Sequence, residues 1–254
     1  MSQVRVRAIE KQRYLLLSLL SAMTLMAAAF VGVAAAQAQD TEEAAASPAT
    51  EEAAASPAAS MTADDEMVDG SIDGTWTVNT EIGDFEEFNN SWVGFRVAEV
   101  LDRIGETEAV GRTPAVSGEL VVSGTTIESA LIEADLTAIE SDQSRRDPAI
   151  QRALNTGEFP VATFESSTAV DLGVVPTDGV PFTASVPGTI TIHGVSQEAT
   201  LDMDAQRAGD VVVVVGTLPL DFTSFGITMP TAPVVVSVED SGNLEWQLYF
   251  DRGA

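Results

Sequence analysis

From about residue 71 to the end of the chain, apolar and polar residues alternate with a period of two. Leu244, Trp246, Leu248 and Phe250 share one face, with Glu245, Gln247 and Tyr249 on the other. Ala199, Leu201, Met203 and Ala205 alternate against Thr200, Asp202 and Asp204, and Ala130, Ile132, Ala134 and Leu136 against Glu133, Asp135 and Thr137. Val93, Phe95 and Val97 repeat the pattern, while Trp76 with Val78, Leu120 with Val121, and Ile190 with Ile192 start or fill further strands. Each run predicts a strand with one buried face, and Val211–Val215, apolar throughout, predicts one covered on both. Ser123-Gly124, Pro187-Gly188, His193-Gly194, Gly209-Asp210 and Ser241-Gly242 read as the turns between them. One segment breaks the period. Asp147-Pro148, a short apolar-spaced run and Gly157 predict a helix of two or three turns, with Asp147 as N-cap and Pro148 in its first turn. About eight or nine antiparallel strands with one helix indicate an all-β domain. A closed up-and-down barrel suits the pattern better than a sandwich, although strand spacing leaves the two nearly even.

The first 70 residues differ. Arg5, Arg7, Lys11 and Arg13 precede an apolar run from Tyr14 to about Ala36, and Ala36-Gln37-Ala38 is a small-x-small cleavage site. Residues 1–38 therefore read as a secretory signal or, since roughly 20 apolar residues span a bilayer, as an uncleaved apolar anchor helix. Either way the remainder is expected to be exported, periplasmic, extracellular or at the cell surface. Thr41–Ala49 and Thr50–Ala58 are the same nine residues, TEEAAASPA. Pro48 and Pro57 break a helix and the glutamates offer nothing to bury, so residues 39–70 read as a disordered acidic linker. Residues 71–254 form the one domain long enough for its own core.

Composition narrows the chemistry. No cysteine means no disulfide, no thiol nucleophile and no Cys-based zinc site; the single His193 cannot supply a His pair. A net charge of −27 argues against nucleic acid, whose phosphates need clustered basic groups. Lys11 is the only lysine, so past residue 38 every basic side chain is an arginine. No spaced Asp/Asn/Gly loop suggests calcium, and no Ser/His/Asp arrangement stands out. No metal or cofactor is expected. What fits is an acidic protein that binds something apolar, neutral or cationic.

Six motifs, in order over residues 74–252, resemble the YceI-like polyisoprenoid-binding family. They are Ser91-x-Val93-x-Phe95-x-Val97, Val116-Ser117-Gly118-Glu119-Leu120, and Arg146-Asp147 followed by Ile150 and Leu154. Phe159-Pro160 with Phe164 and Ser166, the Gly188–Ser196 hairpin, and Asp221-Phe222 with Phe225-Gly226-Ile227 complete the set. The resemblance implies a lipocalin-like, eight-stranded antiparallel barrel holding a long isoprenoid chain of the polyprenyl phosphate or quinone type. It also implies a non-enzymatic, membrane-proximal carrier, often a homodimer.

On this reading the inward residues that meet the lipid tail include Trp76, Phe95, Ile132, Phe164 and Ile190. Ile192, Phe222, Phe225, Trp246 and Leu248 are the others, with Phe222 and Phe225 as the expected gate. The run from Ile127 to Ile139, extended, would offer about 40 Å of wall. Departures from the family pattern cluster near strand ends, where a head group would sit: Glu99 in place of a histidine, Gly111-Arg112-Thr113, His193 in the hairpin turn, and Thr223-Ser224 inserted in the loop. Arg145 and Arg146 either greet an anionic head or form a solvated helix flank, and Arg96 is outward or at the mouth. Two other functions stay open: a surface-displayed structural or adhesive domain with a filled barrel, and an enzyme on a lipid-like substrate using Glu99 and His193.

Overall fold

In the computed structural model, which describes residues 71–252, strands follow the alternation from Gly74 to Asp251. They are β1 (Gly74–Val78), β2 (Trp92–Leu101), β3 (Gly105–Thr113), β4 (Val116–Ser123), β5 (Thr126–Asp135), β6 (Glu140–Ser141), β7 (Val161–Ser166) and β8 (Val170–Asp171). After these come β9 (Pro181–Ile192), β10 (Val195–Ala208), β11 (Val211–Asp221) and β12 (Val235–Asp251), with helix α1 (Asp147–Ala153) between β6 and β7. Eight of them close a ring in the order β1-β4-β5-β7-β9-β10-β11-β12 and back to β1, every neighbour antiparallel. The expected barrel is thus present. The apolar segment 1–38 and the linker 39–70 lie outside the described residues. Among those described, no helix is long and apolar enough to cross a membrane.

The ring is uneven. β9 pairs with β10 over its whole length, from Val195↔Ile192 to Gln206↔Pro181. β1 and β12 share only Thr77↔Asp251 and Val78↔Phe250. On the same edge, residues 235–247 of β12 pair with β2, which carries β3 and β6 outward from the barrel. Ser91, fully buried, reinforces this seam: its hydroxyl donates to the Asn79 carbonyl at 2.7 Å and accepts from the Tyr249 N–H at 3.0 Å. The hydroxyl closes by side chain what β1 is too short to close by backbone.

Four sequence expectations are corrected. Pro187-Gly188 is no turn but lies inside β9, just where the β7 ladder ends at Ser166↔Gly188, so the missing proline N–H breaks no bond. Ser241-Gly242 lies inside β12, at an irregularity in its register with β2. Leu136 leaves the strand: the Asp135 carboxylate accepts from the Thr137 N–H at 2.8 Å and turns 136–138 into a single 3-10 turn. β5 therefore spans about 33 Å rather than 40. Asp147 is the first residue of α1 rather than its cap, and its carboxylate instead accepts from Ser141 N–H at 2.9 Å and Ser141 Oγ at 2.5 Å. A bulge at Glu128, where Val121↔Ser129 steps to Val122↔Ile127, puts both Ile127 and Ala130 inward.

Candidate functional site

The barrel interior is not filled to its axis. An apolar cavity of about 130 Å³ runs within it, walled by residues from all eight ring strands and by Val93 of β2. On the same measure a water occupies roughly 10–15 Å³, so the space admits on the order of ten water-sized bodies. That corresponds to a liquid volume of about 300 Å³, the lower end of the range for small-molecule pockets. Water gains nothing from such a wall, because a buried water needs two to four polar partners. An apolar chain gains about 0.8 kcal/mol for each CH₂ removed from water.

Seven of the ten residues expected to meet a ligand line this cavity: Trp76, Ile132, Phe164, Ile190, Ile192, Trp246 and Leu248. Two glycines set the poses of the aromatic members. A Cβ on Gly216 would come within 2.2 Å of the Trp246 indole, and one on Gly188 within 2.5 Å of the Phe164 ring. Both rings lie across these gaps in the side-chain layer. Trp76 keeps its one polar atom satisfied by donating to the Ile72 carbonyl at 2.9 Å.

Phe95, Phe222 and Phe225 are placed elsewhere. Phe222 and Phe225 occupy a 3-10 turn, Phe222–Phe225, which the Asp221 carboxylate caps and Gly226 ends in the left-handed region. Phe225 is 1% exposed, and Phe95 meets Phe222 edge to face at 6.4 Å. Neither phenylalanine of the turn borders the cavity, so the expected gate is instead part of a packed end.

None of the family departures faces the cavity either. Glu99, its side chain 3% exposed, pairs with Arg146 at 2.7 Å, and Arg146 also holds Asp142 at 2.8 Å. Arg146 is thus neither a head-group site nor a solvated flank; it ties α1 to β2. His193 Nδ1 donates to the Phe225 carbonyl at 3.0 Å, and its ring meets Phe159 edge to face. Glu99 and His193 each have their own partner and do not converge in the cavity as an acid–base pair would. Arg112 lies between the Phe88 and Trp92 rings, 4.4 Å from each centroid, and desolvation lowers its pKa. Arg96 bridges Glu245 at 2.7 Å and Glu108 at 2.9 Å across neighbouring strands, an arrangement that raises its pKa, chiefly through the Glu245 hydrogen bond. Among the described residues no three His, Asp or Glu side chains gather as metal ligands.

Sequence reasoning passed over Arg207. It continues the inward phase of Leu201, Met203 and Ala205 on β10 and lines the cavity. Among the described residues that wall the cavity, it and Thr163 are the only polar ones besides the tryptophans, and the cavity surface itself is almost wholly apolar, so Arg207 borders it with the aliphatic stem. Its position two residues beyond Ala205 is the signal that could have found it. The segment between β8 and β9 passes over this rim. Leu172 and Pro176 line the cavity, the Gly179 N–H donates to the Arg207 carbonyl at 2.8 Å, and Val174 is 69% exposed.

A family model described as "YceI-like domain" matches residues 84–250. No curated protein sequence matches the chain. Among solved structures, one similar fold is a polyisoprenoid binding domain from Saccharophagus degradans implicated in plant cell wall breakdown. It shares 15% identity over 70% of this chain and 98% of that one, with a TM-score of 0.54. BcnA of Burkholderia cenocepacia shares 17% identity over 62% and 95% (TM-score 0.47). The YCEI protein of Campylobacter jejuni shares 15% over 57% and 85% (TM-score 0.46).

Proposed function

Because the chain belongs to the YceI-like domain family, we propose that it is an exported, non-enzymatic carrier that sequesters the tail of an isoprenoid lipid inside its barrel. The observation that carries this reading is the cavity itself, walled by Trp76, Phe164, Trp246 and aliphatic side chains with almost nothing polar. A filled barrel, as a purely structural or adhesive domain would have, leaves no such space. The S. degradans domain, described as polyisoprenoid binding, lends the ligand class.

The tail lies along the bore, and the segment between β8 and β9 moves aside to admit and release it. The N-terminal apolar run directs export and keeps the carrier near the membrane, whether cleaved after Ala38 or retained. The acidic surface holds a protein with a water-insoluble cargo in solution. A homodimer belongs to the same proposal.

Organic extraction of the full-length protein purified from its native host, read by mass spectrometry, is expected to yield an isoprenoid near one per chain. No lipid in the extract, together with no uptake of added farnesol or a longer prenol, would remove the proposal.

A further inference from the structure

The cavity reaches the segment between β8 and β9 at one end, and at the other it stops against two rings. On β2 and β12, Val93 lies beside Trp246 and Phe95 beside Leu244. Val93, Trp246 and Leu244 line the cavity, whereas Phe95 does not, and the next inward residue of β2, Val97, is 5% exposed in the core. The empty space therefore ends at the height of Phe95. Two glycines make room for this stop. A Cβ on Gly111, opposite Phe95 on β3, would come within 2.6 Å of the Phe95 ring. One on Gly242, two residues before Leu244, would come within 2.9 Å of the Phe222 ring. Each ring is thus laid against backbone where a side chain would displace it, and the two meet edge to face at 6.4 Å. In and after the same turn, Phe225 and Ile227 are 1% and 4% exposed and do not border the cavity, so the space does not resume beyond the rings.

We propose that Phe95, backed by Phe222, is the floor of the bore and limits the isoprenoid tail it encloses to about two units, three at most. The inference rests on the isoprenoid-carrier reading and adds to it the length of tail that is recognised. Volume sets the limit. The cavity of about 130 Å³ has room for on the order of ten water-sized bodies, and a CH₂ or CH₃ group takes about the space of one water, so about ten chain carbons fit. Affinity grows with each CH₂ removed from water. It grows with tail length, therefore, only until the tail meets the floor, and any further unit stays outside at the rim.

The test is equilibrium dialysis of the full chain against tritiated geraniol, farnesol and geranylgeraniol, which have one head group and two, three and four isoprene units. Affinity is expected to rise from geraniol to farnesol and then to level, geranylgeraniol binding within about threefold of farnesol. Phe95→Ala deepens the bore toward Phe222 and should make geranylgeraniol at least about fivefold tighter than farnesol. Phe95→Leu should give a smaller gain of the same sign, and it carries the test if F95A does not fold. A wild-type affinity that rises by more than threefold from farnesol to geranylgeraniol, or a plateau that the Phe95 variants leave in place, would overturn the floor assignment and leave the carrier reading standing. Failure of all three prenols to bind the wild type would remove the carrier reading and the assignment with it.

Discussion

The two ends of the barrel are built on different principles. At one end, several polar groups hold the wall shut. Glu99 pairs with Arg146, His193 binds the Phe225 carbonyl, and the Gln197 amide donates to both the carbonyl and the hydroxyl of Ser224 at 2.9 Å. Phe95, Phe222, Phe225 and Phe159 fill the space among them. At the other end, the segment between β8 and β9 leaves Val174, Val175 and Val180 exposed, and the cavity reaches Leu172, Pro176 and Arg207 beneath it. The proposed carrier function needs one such end. Closing both would trap the cargo, and opening both would let water thread the bore and forfeit the apolar gain.

The sharpest way to break the contrast is to remove a bond from the packed end. Arg146→Ala leaves the Glu99 carboxylate buried without its cation, and truncation of one partner in a buried pair typically costs 3–5 kcal/mol. Because Arg146 itself is partly exposed, a loss of about 3 kcal/mol is expected in urea unfolding. A loss below about 1 kcal/mol would mean that this end is not held as described.

Side-chain enlargement separates the two regions next. Ala109 lies in the core beside Val97, away from the cavity, whereas Ala205 faces into it. Ala109→Leu should destabilise by about 2 kcal/mol, the usual range for overpacking. Ala205→Leu enters empty space and should cost less than about 1 kcal/mol, or stabilise, while reducing prenol uptake. Equal costs at the two positions would show that the interior is as filled at Ala205 as at Ala109.

How much of this was legible beforehand follows the same division. Period-two alternation found seven of the eight ring strands because it records which face meets the interior; β7 came only from the Phe159-Pro160 motif with Phe164 and Ser166, and the motif order supplied closure, which alternation cannot. Pro187-Gly188 and Ser241-Gly242 misled because residues that end strands elsewhere here sit at a ladder's end and at an irregularity. Phe95 is in phase with Val93, yet only Val93 reaches the cavity, because Phe222 covers Phe95 from a distant turn. A period says inward; it does not say whether the interior at that height is void or packed. Arg207 shows the converse, since its phase marked it as inward while its charge drew the eye to the surface.

The exposed rim offers a smaller effect on stability and a distinct one on kinetics. Val174→Ser with Val175→Ser removes exposed apolar surface and should change stability by no more than about 0.5 kcal/mol. If the segment is the way in, transfer of a fluorescent prenol from vesicles should slow severalfold with its final affinity unchanged. An unchanged rate would place the route elsewhere.

Acid gives the mildest contrast, and its sign is fixed by three carboxylates. The Gly124 N–H lowers the Asp73 pKa and the Thr125 hydroxyl lowers that of Asp171, so both grip the β4–β5 turn. At the packed end, the Thr223 hydroxyl lowers the Asp221 pKa. A carboxyl depressed on folding contributes stability that is complete above its ordinary value of 3.8 and disappears as pH falls through the lower folded value. All three are exposed, so each contribution is small. Stability should therefore stay level from neutral pH to about 4 as far as these groups decide it, and decline below. The Gly124, Gly173 and Thr223 amides, each donating to one of these carboxylates, report the protonation directly. Their NMR shifts should titrate with midpoints below 3.8, and a midpoint at or above that value would detach the turn from its carboxylate. Asp171→Asn should abolish the Gly173 titration and leave that of Thr223 at the opposite end in place, because the two ends share no carboxylate.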